Sequence, residues 1–236
     1  PIEDLLTLAF SGLDFEYELD EDNKVVLIKS KGGTAPTIPP VSATESGIID
    51  NSLLQELGGV DKLINGVRAG KGKLNHLSST TFGVNALSST ITGGIDNSAF
   101  GTNALKSNTA GDSNSAFGTN ALAANTTGWH NNAFGSDSLA ANTTGLFNSS
   151  FGDLSMQYNT SGQWNAAIGS SALRNNTTGQ RNFAAAAALY WNTSGSHNTA
   201  VGMSSAYANS VGNYNSYLGR GAGYDNGLGS YNIGVG

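Results

Sequence analysis

The chain has 236 residues and a net charge of −6, and it combines 32 glycines with only 12% charged residues. It contains no cysteine, which excludes disulfide bonds, and no apolar run of about 18 residues, so we predict no membrane insertion. Eight of the acids fall within residues 1–31, whereas residues 82–236 hold five acids against four bases. Because this long second part lacks a basic stripe, we predict no nucleic-acid partner.

Residues 1–31 predict a small N-terminal β module. Residues 13–19 alternate apolar and acidic side chains, residues 20–23 have turn composition, and residues 24–29 contain a second apolar run. This is the pattern of an antiparallel hairpin. The start of the chain lacks the basic segment and cleavage site of a signal peptide, which predicts synthesis in the cytoplasm. The acids lack the spacing of a calcium loop, so we interpret them as a solvated face.

Two segments follow the hairpin. Residues 32–49 are rich in proline and glycine near their start, which predicts an extended linker. Within residues 50–81, Ser52 and Gln55 form a capping-box pattern that ends at Gly58, which predicts a short helical neck over the repeats that follow. Residues 66–72 resemble a phosphate-binding loop, but the spacing is one residue short and no Ser or Thr follows the Lys, so we predict no nucleotide site.

Residues 82–236 repeat at a step of 17 residues. Each repeat opens with Asn, two small residues, Phe, Ile or Val, and Gly, and it continues through an Ala-Leu pair to Asn-Thr-Thr/Ser-Gly. The repeat between Asn182 and Asn192 is short by one residue. The first asparagine column includes Asn114, Asn131, Asn148 and Asn165, and the apolar column includes Phe100, Phe117, Phe134, Phe151, Ile168 and Val201. A fixed period this short indicates a solenoid.

The repeat favours strands over helices. Its apolar spacing fits no sustained amphipathic helix, and each glycine would weaken a helix by about 1 kcal/mol. Asn-Thr-Thr-Gly has turn chemistry, because Asn bonds the backbone two residues on and Gly supplies positive φ. We therefore predict an all-β coil of two short strands and two bends. Successive coils would stack at about 4.8 Å, with asparagine ladders bonded along the stack.

A free-energy comparison favours a homo-oligomer. One coil buries at best a Phe and a Leu, worth roughly 1.5–3 kcal/mol each, whereas ordering each residue of the coil costs about 1–2 kcal/mol of backbone entropy. We therefore predict that the Phe/Ile/Val column and the Leu column are both buried, and that copies of the chain meet through the Phe column.

The motif Asn-x-Ala-Phe-Gly at residues 97–101, 114–118 and 131–135, followed by x-x-Ala-Leu, resembles two families of repeats. It is similar to the β-roll heads of trimeric autotransporter adhesins, and more similar to the Asn-Thr-Ala-Phe-Gly repeats of bacteriophage tail and head fibres. The resemblance covers residues 82–236 and implies a trimeric β-solenoid fibre. Adhesin heads usually have a shorter repeat, and no secretion signal is present, so we favour the phage fibre.

The resemblance also implies function and location. It suggests a structural protein of a virion, joined to capsid or tail proteins through residues 1–31 and projecting its repeats for host attachment, with host surface polysaccharide as a candidate ligand. The alternatives are a polysaccharide-degrading tail spike and a trimeric adhesin head on the extracellular surface of a bacterium. Because residue 236 falls inside a repeat, we expect the native chain to continue into further fibre.

We predict no catalytic, cofactor or metal site. The acids and bases of the repeats are scattered, and His130 and His197 share a coil position four coils apart, so only a ring of three copies across a threefold axis would bring equivalent histidines together. Aromatic residues precede the asparagines of both columns, where they would pack between chains or, as the alternative, stack on sugar rings. The candidates are Trp129, His130, Phe147, Tyr158, Trp164, Tyr190, Trp191, Tyr207, Tyr214 and Tyr224.

Overall fold

The computed structural model describes residues 15–20, 25–30, 55–57, 61–64, 67–70, 78–89 and 94–236. The chain divides into two units, Pro1–Ile48 and Ile49–Gly236. The described residues contain strands and turns and no helix, which confirms the predicted all-β class. The predicted linker at residues 32–49 lies outside the described residues.

The first unit contains two antiparallel strands, β1 (Phe15–Asp20) and β2 (Val25–Ser30). Phe15 lies opposite Ser30, and Asp20 lies opposite Val25. The alternation of apolar and acidic residues in β1 and the β-branched residues of β2 favour this pairing. These strands lie in the two segments that were predicted to pair, and an N-terminal module that serves in attachment stays a prediction.

The second unit begins with three antiparallel strands where a helix was predicted. These are β3 (Gln55–Leu57), β4 (Asp61–Ile64) and β5 (Val67–Gly70). The predicted short helical neck is wrong for these residues. A helix of one or two turns gains few hydrogen bonds for its nucleation cost, whereas these segments pair with one another and with the edge of the next strand.

A stack of ten parallel strands follows within the described residues. The first, β6 (Thr80–Gly83), pairs antiparallel with β5 on one side and parallel with β7 on the other. The others are β7 (Ser98–Phe100), β8 (Ser115–Phe117), β9 (Asn132–Phe134), β10 (Ser149–Phe151), β11 (Ala166–Ile168), β12 (Phe183–Ala185), β13 (Thr199–Val201), β14 (Ser216–Leu218) and β15 (Ile233–Val235). Equivalent residues of successive repeats pair directly, which confirms the solenoid of 17-residue repeats.

Each coil contains one strand, and the prediction of two strands per coil is wrong. The predicted second strand, around the Ala-Leu pair, is a series of turns in which Leu105, Leu122 and Leu139 have φ values of 50°, 52° and 51°. A left-handed residue costs roughly 1–2 kcal/mol and reverses the chain, so no strand passes through it. Coils still bond here, because the Leu105 N–H donates to the Ala121 carbonyl oxygen at 3.0 Å.

The interior of the stack consists mainly of alanine, leucine and asparagine, with a few serines. The middle residue of each three-residue strand points inward, as Ala99 and Ala116 do, and the predicted Leu column is confirmed as buried. The Phe/Ile/Val column instead points outward, since it alternates with that inward residue. Phe151 is 42% exposed and Ile168 is 50% exposed in the single chain. Its predicted burial is therefore wrong within one chain, and burial between chains stays a prediction.

Two buried asparagine ladders confirm the predicted bonding along the stack. Asn131 Nδ2 donates to Asn114 Oδ1 at 3.2 Å and to the Gly145 carbonyl oxygen at 2.8 Å. In the second ladder, Asn125 Nδ2 donates to Asn108 Oδ1 at 2.8 Å. Each asparagine of that ladder also bonds the carbonyl three residues on, not two as predicted. These bonds satisfy amides that would otherwise destabilise the interior.

A single core position departs from the small residues of its column. Tyr217 stands where the other coils have alanine, serine, threonine or glycine, and it is only 6% exposed. Its ring fits because the adjacent positions are Gly223 and Gly234, where an added Cβ would contact the ring. Burial raises the pKa of the Tyr217 phenol, and a hydrogen bond with Asn226 opposes that shift.

We expect Gly145→Ala to destabilise the stack by more than about 3 kcal/mol, because overpacking at a rigid site has no room to relax. An added Cβ would overlap the side chain of Asn142 and the carbonyl oxygen of Gly162, both fixed by the ladders. Chemical denaturation of the purified variant measures the loss. Gly221→Ala is the control, since its Cβ would enter open space at a φ of 72° and should cost about 1–2 kcal/mol. Equal losses for the two variants would contradict the overlap.

Candidate interaction surfaces

The outward side of β6–β15, called the strand face below, carries the apolar column. The rings of Phe100, Phe117 and Phe134 stack along the axis with centroids 4.7 Å apart and planes within 6°. Phe134 and Phe151 continue the stack at 5.1 Å. Because each ring covers the face of the next, the outer edges of the rings form a continuous apolar ridge. No charged residue occurs at the outward positions of these strands.

A second series of stacked side chains lies beside the strand face. Its members directly precede the first-column asparagines and share left-handed φ values of 53–60°. We call this series the outer ladder: His130, Phe147, Trp164, Arg181, His197, Tyr214 and Tyr231. His130 stacks on Phe147 at 5.1 Å, and Phe147 stacks on Trp164 at 4.0 Å. The structure therefore brings these predicted aromatic residues together in one chain.

The aromatic series of the outer ladder is interrupted by one basic residue, Arg181, and resumes after it. Arg181 follows Trp164 in the series, and Arg181 Nη1 lies 3.4 Å from His197 Nε2. Beyond them, His197 stacks on Tyr214 at 4.6 Å and Tyr214 on Tyr231 at 5.0 Å. Trp129 flanks the ladder and meets the edge of Phe147 at 4.7 Å. The ladder thus occupies most of one edge of the strand face.

This stacking limits what the outer ladder can bind. A sugar that stacks on an aromatic ring needs an open ring face, and rings 4–5 Å apart leave no space for another ring between them. Phe147 is covered by His130 on one side and Trp164 on the other. The alternative of sugar rings stacked on the candidate aromatics is therefore excluded in the middle of this ladder. Ring edges and polar atoms remain available for contact.

The side chains two residues before the second-column asparagines form another series. We call it the tyrosine ladder, and its members are Arg174, Tyr190, Tyr207 and Tyr224. Tyr190 stacks on Tyr207 at 5.3 Å, and Tyr207 stacks on Tyr224 at 5.0 Å. Trp191 meets Tyr190 edge-on at 5.1 Å. The candidates before the two asparagine columns therefore form two separate series rather than one site.

Arg174 ends the tyrosine ladder in a fixed position. Its Nη1 donates to Tyr190 Oη at 2.7 Å, and its Nε donates to Gln157 Oε1 at 2.9 Å. The guanidinium also lies 5.6 Å from the ring centre of Tyr158. Burial alone lowers the pKa of Arg174, but the interactions with Tyr190 and Tyr158 raise it above its ordinary value. The positive charge of Arg174 therefore interacts with side chains of its own chain.

One polar series was missed from the sequence. Asn103 Nδ2 donates to Asn120 Oδ1 at 3.0 Å, and Asn120 Nδ2 donates to Asp137 Oδ1 at 3.0 Å. These residues follow the corner glycines, and their left-handed φ values suit Asn and Asp. The recurrence of Asn and Asp two residues after glycine was the available signal. The series is partly exposed and adds bonding between neighbouring coils on the outside.

The titratable side chains do not converge among the described residues. His130 and His197 both belong to the outer ladder, four coils apart as the sequence predicted. No group of three or more His, Cys, Asp or Glu in the described ranges is placed to hold a metal ion. A search of the same residues for a helix long and apolar enough to cross a membrane found none.

The chain was compared with models of protein families, with curated proteins and with solved structures. None of the three comparisons gave a match.

Proposed function

We propose that the chain is a segment of a homotrimeric structural fibre. The observation that carries the proposal is the uncharged apolar column of the strand face, which extends from Phe82 to Val235 with the small Ala185 as its one break, while polar side chains dominate the turns. Large apolar patches of this kind on soluble proteins mark interaction sites. Burying the edges of its large side chains would contribute up to roughly 1.5–3 kcal/mol for each one. The same column in another copy is a matching partner.

The proposed location is a virion or, as the alternative, the extracellular surface of a bacterium. In the virion, residues 1–31 would join the capsid or tail, and the repeats would project outward for host attachment. The resemblance of residues 97–135 to phage fibre repeats supports this assignment. With both ring faces of Phe147 and of Tyr214 covered by neighbouring rings, we assign contact with host polysaccharide to polar groups and ring edges, and we propose no catalytic role.

Sedimentation of the full chain tests the assembly. We expect a species of three chains over a wide concentration range, and a folded monomer would contradict the proposal. Antibodies raised against residues 98–236 then test the location by electron microscopy. They should label fibres projecting from virus particles, and labelling of bacterial cells alone would favour the adhesin head. New reducing ends after incubation with host capsule would instead support a polysaccharide-degrading spike.

A further inference from the structure

The strand face has a regular size pattern with one inversion. Each three-residue strand presents its first and third residues outward. From β6 to β14 the third residue is Phe, Ile, Val or Leu, and the first is small or polar, except in β12. The first residues are Thr80, Ser98, Ser115, Asn132, Ser149, Ala166, Thr199 and Ser216. The face thus has a ridge of third residues beside a groove of first residues.

β12 exchanges the two sizes. Phe183 occupies the groove position between Ala166 and Thr199, and Ala185 occupies the ridge position between Ile168 and Val201. Both are half-buried in the single chain. The ridge is therefore interrupted at the same level at which the groove is filled. This strand belongs to the coil that is short by one residue, so the inversion and the shortened repeat coincide.

We propose that Phe183 and Ala185 form a register key between copies of the chain. The inference rests on the proposed trimer: the ridge of each copy packs into the groove of the next, around a closed ring. At the level of β12, Phe183 of one copy then meets Ala185 of its neighbour, so a large side chain meets a small one, as at the other levels from β6 to β14; at β15 both outward residues, Ile233 and Val235, are large. This pairing of Phe183 with Ala185 forms only when the copies run parallel and equivalent coils lie at the same height along the axis.

A shift by one coil would disturb this packing in either direction. In one direction Phe183 would meet Val201, and in the other it would meet Ile168, so two large side chains would overlap. Ala185 would meet a small residue of the facing groove, Thr199 or Ala166, and leave a gap. Overpacking and cavities both destabilise an interface. The regular coils cannot prevent such a shift, because their ridges and grooves are nearly alike.

The area of the strand face is sufficient for this partner. Ten strands at a spacing of about 4.8 Å extend over roughly 43 Å, and three residues at about 3.3 Å give a width near 10 Å before flanking side chains are added. Because the face of each copy meets two neighbours, the three faces together would bury on the order of 1,300 Å² in the trimer before flanking side chains are added, which is comparable to a specific interface. The absence of charge at the outward positions means that identical copies meet without repulsion.

A double-mutant cycle on the full chain tests the key. We expect Phe183→Ala and Ala185→Phe to weaken assembly about tenfold or more, because one leaves a gap and the other places two phenylalanines together. The double variant restores the pattern of the regular coils and should assemble within about threefold of the parent. Sedimentation at graded concentrations measures assembly, and denaturation of the dissociated chain shows whether each variant folds. Additive losses in a folded double variant would overturn the key.

Cysteine cross-linking tests the register directly. In Ser216→Cys/Leu218→Cys the two thiols lie on one strand, whereas in Thr199→Cys/Leu218→Cys they lie one coil apart. In the parent background only the first pair should join different chains. Adding Phe183→Ala/Ala185→Phe should allow the second pair to join chains as well. A disulfide between chains in Thr199→Cys/Leu218→Cys without the Phe183 and Ala185 changes would overturn the register key but not the trimer. A monomer at all concentrations would overturn both the trimer and the key.

Discussion

Phe117→Asp is expected to abolish assembly while leaving the coil stack folded. The Phe117 ring lies in the outward column between Phe100 and Phe134, so its replacement changes no interior contact. In the assembled fibre, however, a carboxylate at this position would be buried without a partner, which costs several kcal/mol. Sedimentation should show a single chain with an unchanged circular dichroism spectrum. Phe134→Asp, one coil further on, should behave in the same way.

Thr127→Asp is the matched control for this substitution. Thr127 belongs to the same coil and is exposed in the Asn-Thr-Thr-Gly turn, away from the strand. Thr127→Asp introduces the same charge as Phe117→Asp. Because the site is exposed and lies outside the strand face, assembly should stay within about threefold of the parent, as is usual for surface substitutions. If Phe117→Asp assembled as well as Thr127→Asp, the strand face would not be the contact between chains.

Asn148→Ala is expected to destabilise the chain itself. Asn148 Oδ1 accepts hydrogen bonds from the backbone N–H and the Nδ2 of Asn165, both at 3.1 Å. Its Nδ2 donates to Asn131 Oδ1 at 3.0 Å and to the Gly162 carbonyl oxygen at 2.8 Å. Alanine would leave the buried Asn165 N–H without an acceptor, and we expect a loss of about 3 kcal/mol. Chemical denaturation below the assembly concentration measures it.

Asn175→Ala provides the comparison for the asparagine ladder. Asn175 is half-buried, and its Nδ2 makes a single bond, to the Tyr190 carbonyl oxygen at 2.9 Å. That carbonyl also accepts the Asn175 backbone N–H, so it keeps a partner in the variant. We expect a loss of about 1 kcal/mol or less. A similar loss for both asparagines would mean that the buried ladder does not stabilise the coils more than a surface amide does.

The period, the turns and the interior ladders could be predicted because they depend on local chemistry repeated in register. Asn131 and Asn148 align in sequence, and identical residues in a stack must bond to one another or remain unsatisfied. The orientation of Phe117 could not be predicted in the same way. A strand of three residues has only one alternation, so the sequence does not tell which apolar residue is inside. Alanine at position 116 proved to be the interior residue, and the larger Phe117 points out.

Two other errors have the same origin in short segments. The position of Leu122 between two predicted bends predicts a second strand, but its left-handed φ of 52° places it in a turn that still buries its side chain. The capping pattern at Gln55 predicts a helix, but in the structure this residue belongs to a strand that pairs with the next segment. The predicted asparagine ladders lie in the interior beside the leucines, and their hydrogen bonds satisfy the buried amides there. That the candidate aromatic residues contact a ligand stays a prediction, and their stacking within one chain could be seen only in the structure.

Because each coil bonds only to its two neighbours, the length of the stack is set by the number of coils. A regular coil such as that of residues 131–147 supplies the same interior residues, bonds and backbone direction at its upper and lower sides. Duplication or loss of one 17-residue unit in a gene would therefore lengthen or shorten the stack by about 4.8 Å, with no new interior to be invented. The reach of such a protein can evolve in discrete steps. Changes that are not a multiple of the repeat would instead have to be absorbed at a corner, as they are at Ala186 and Ala187 in the shortened coil.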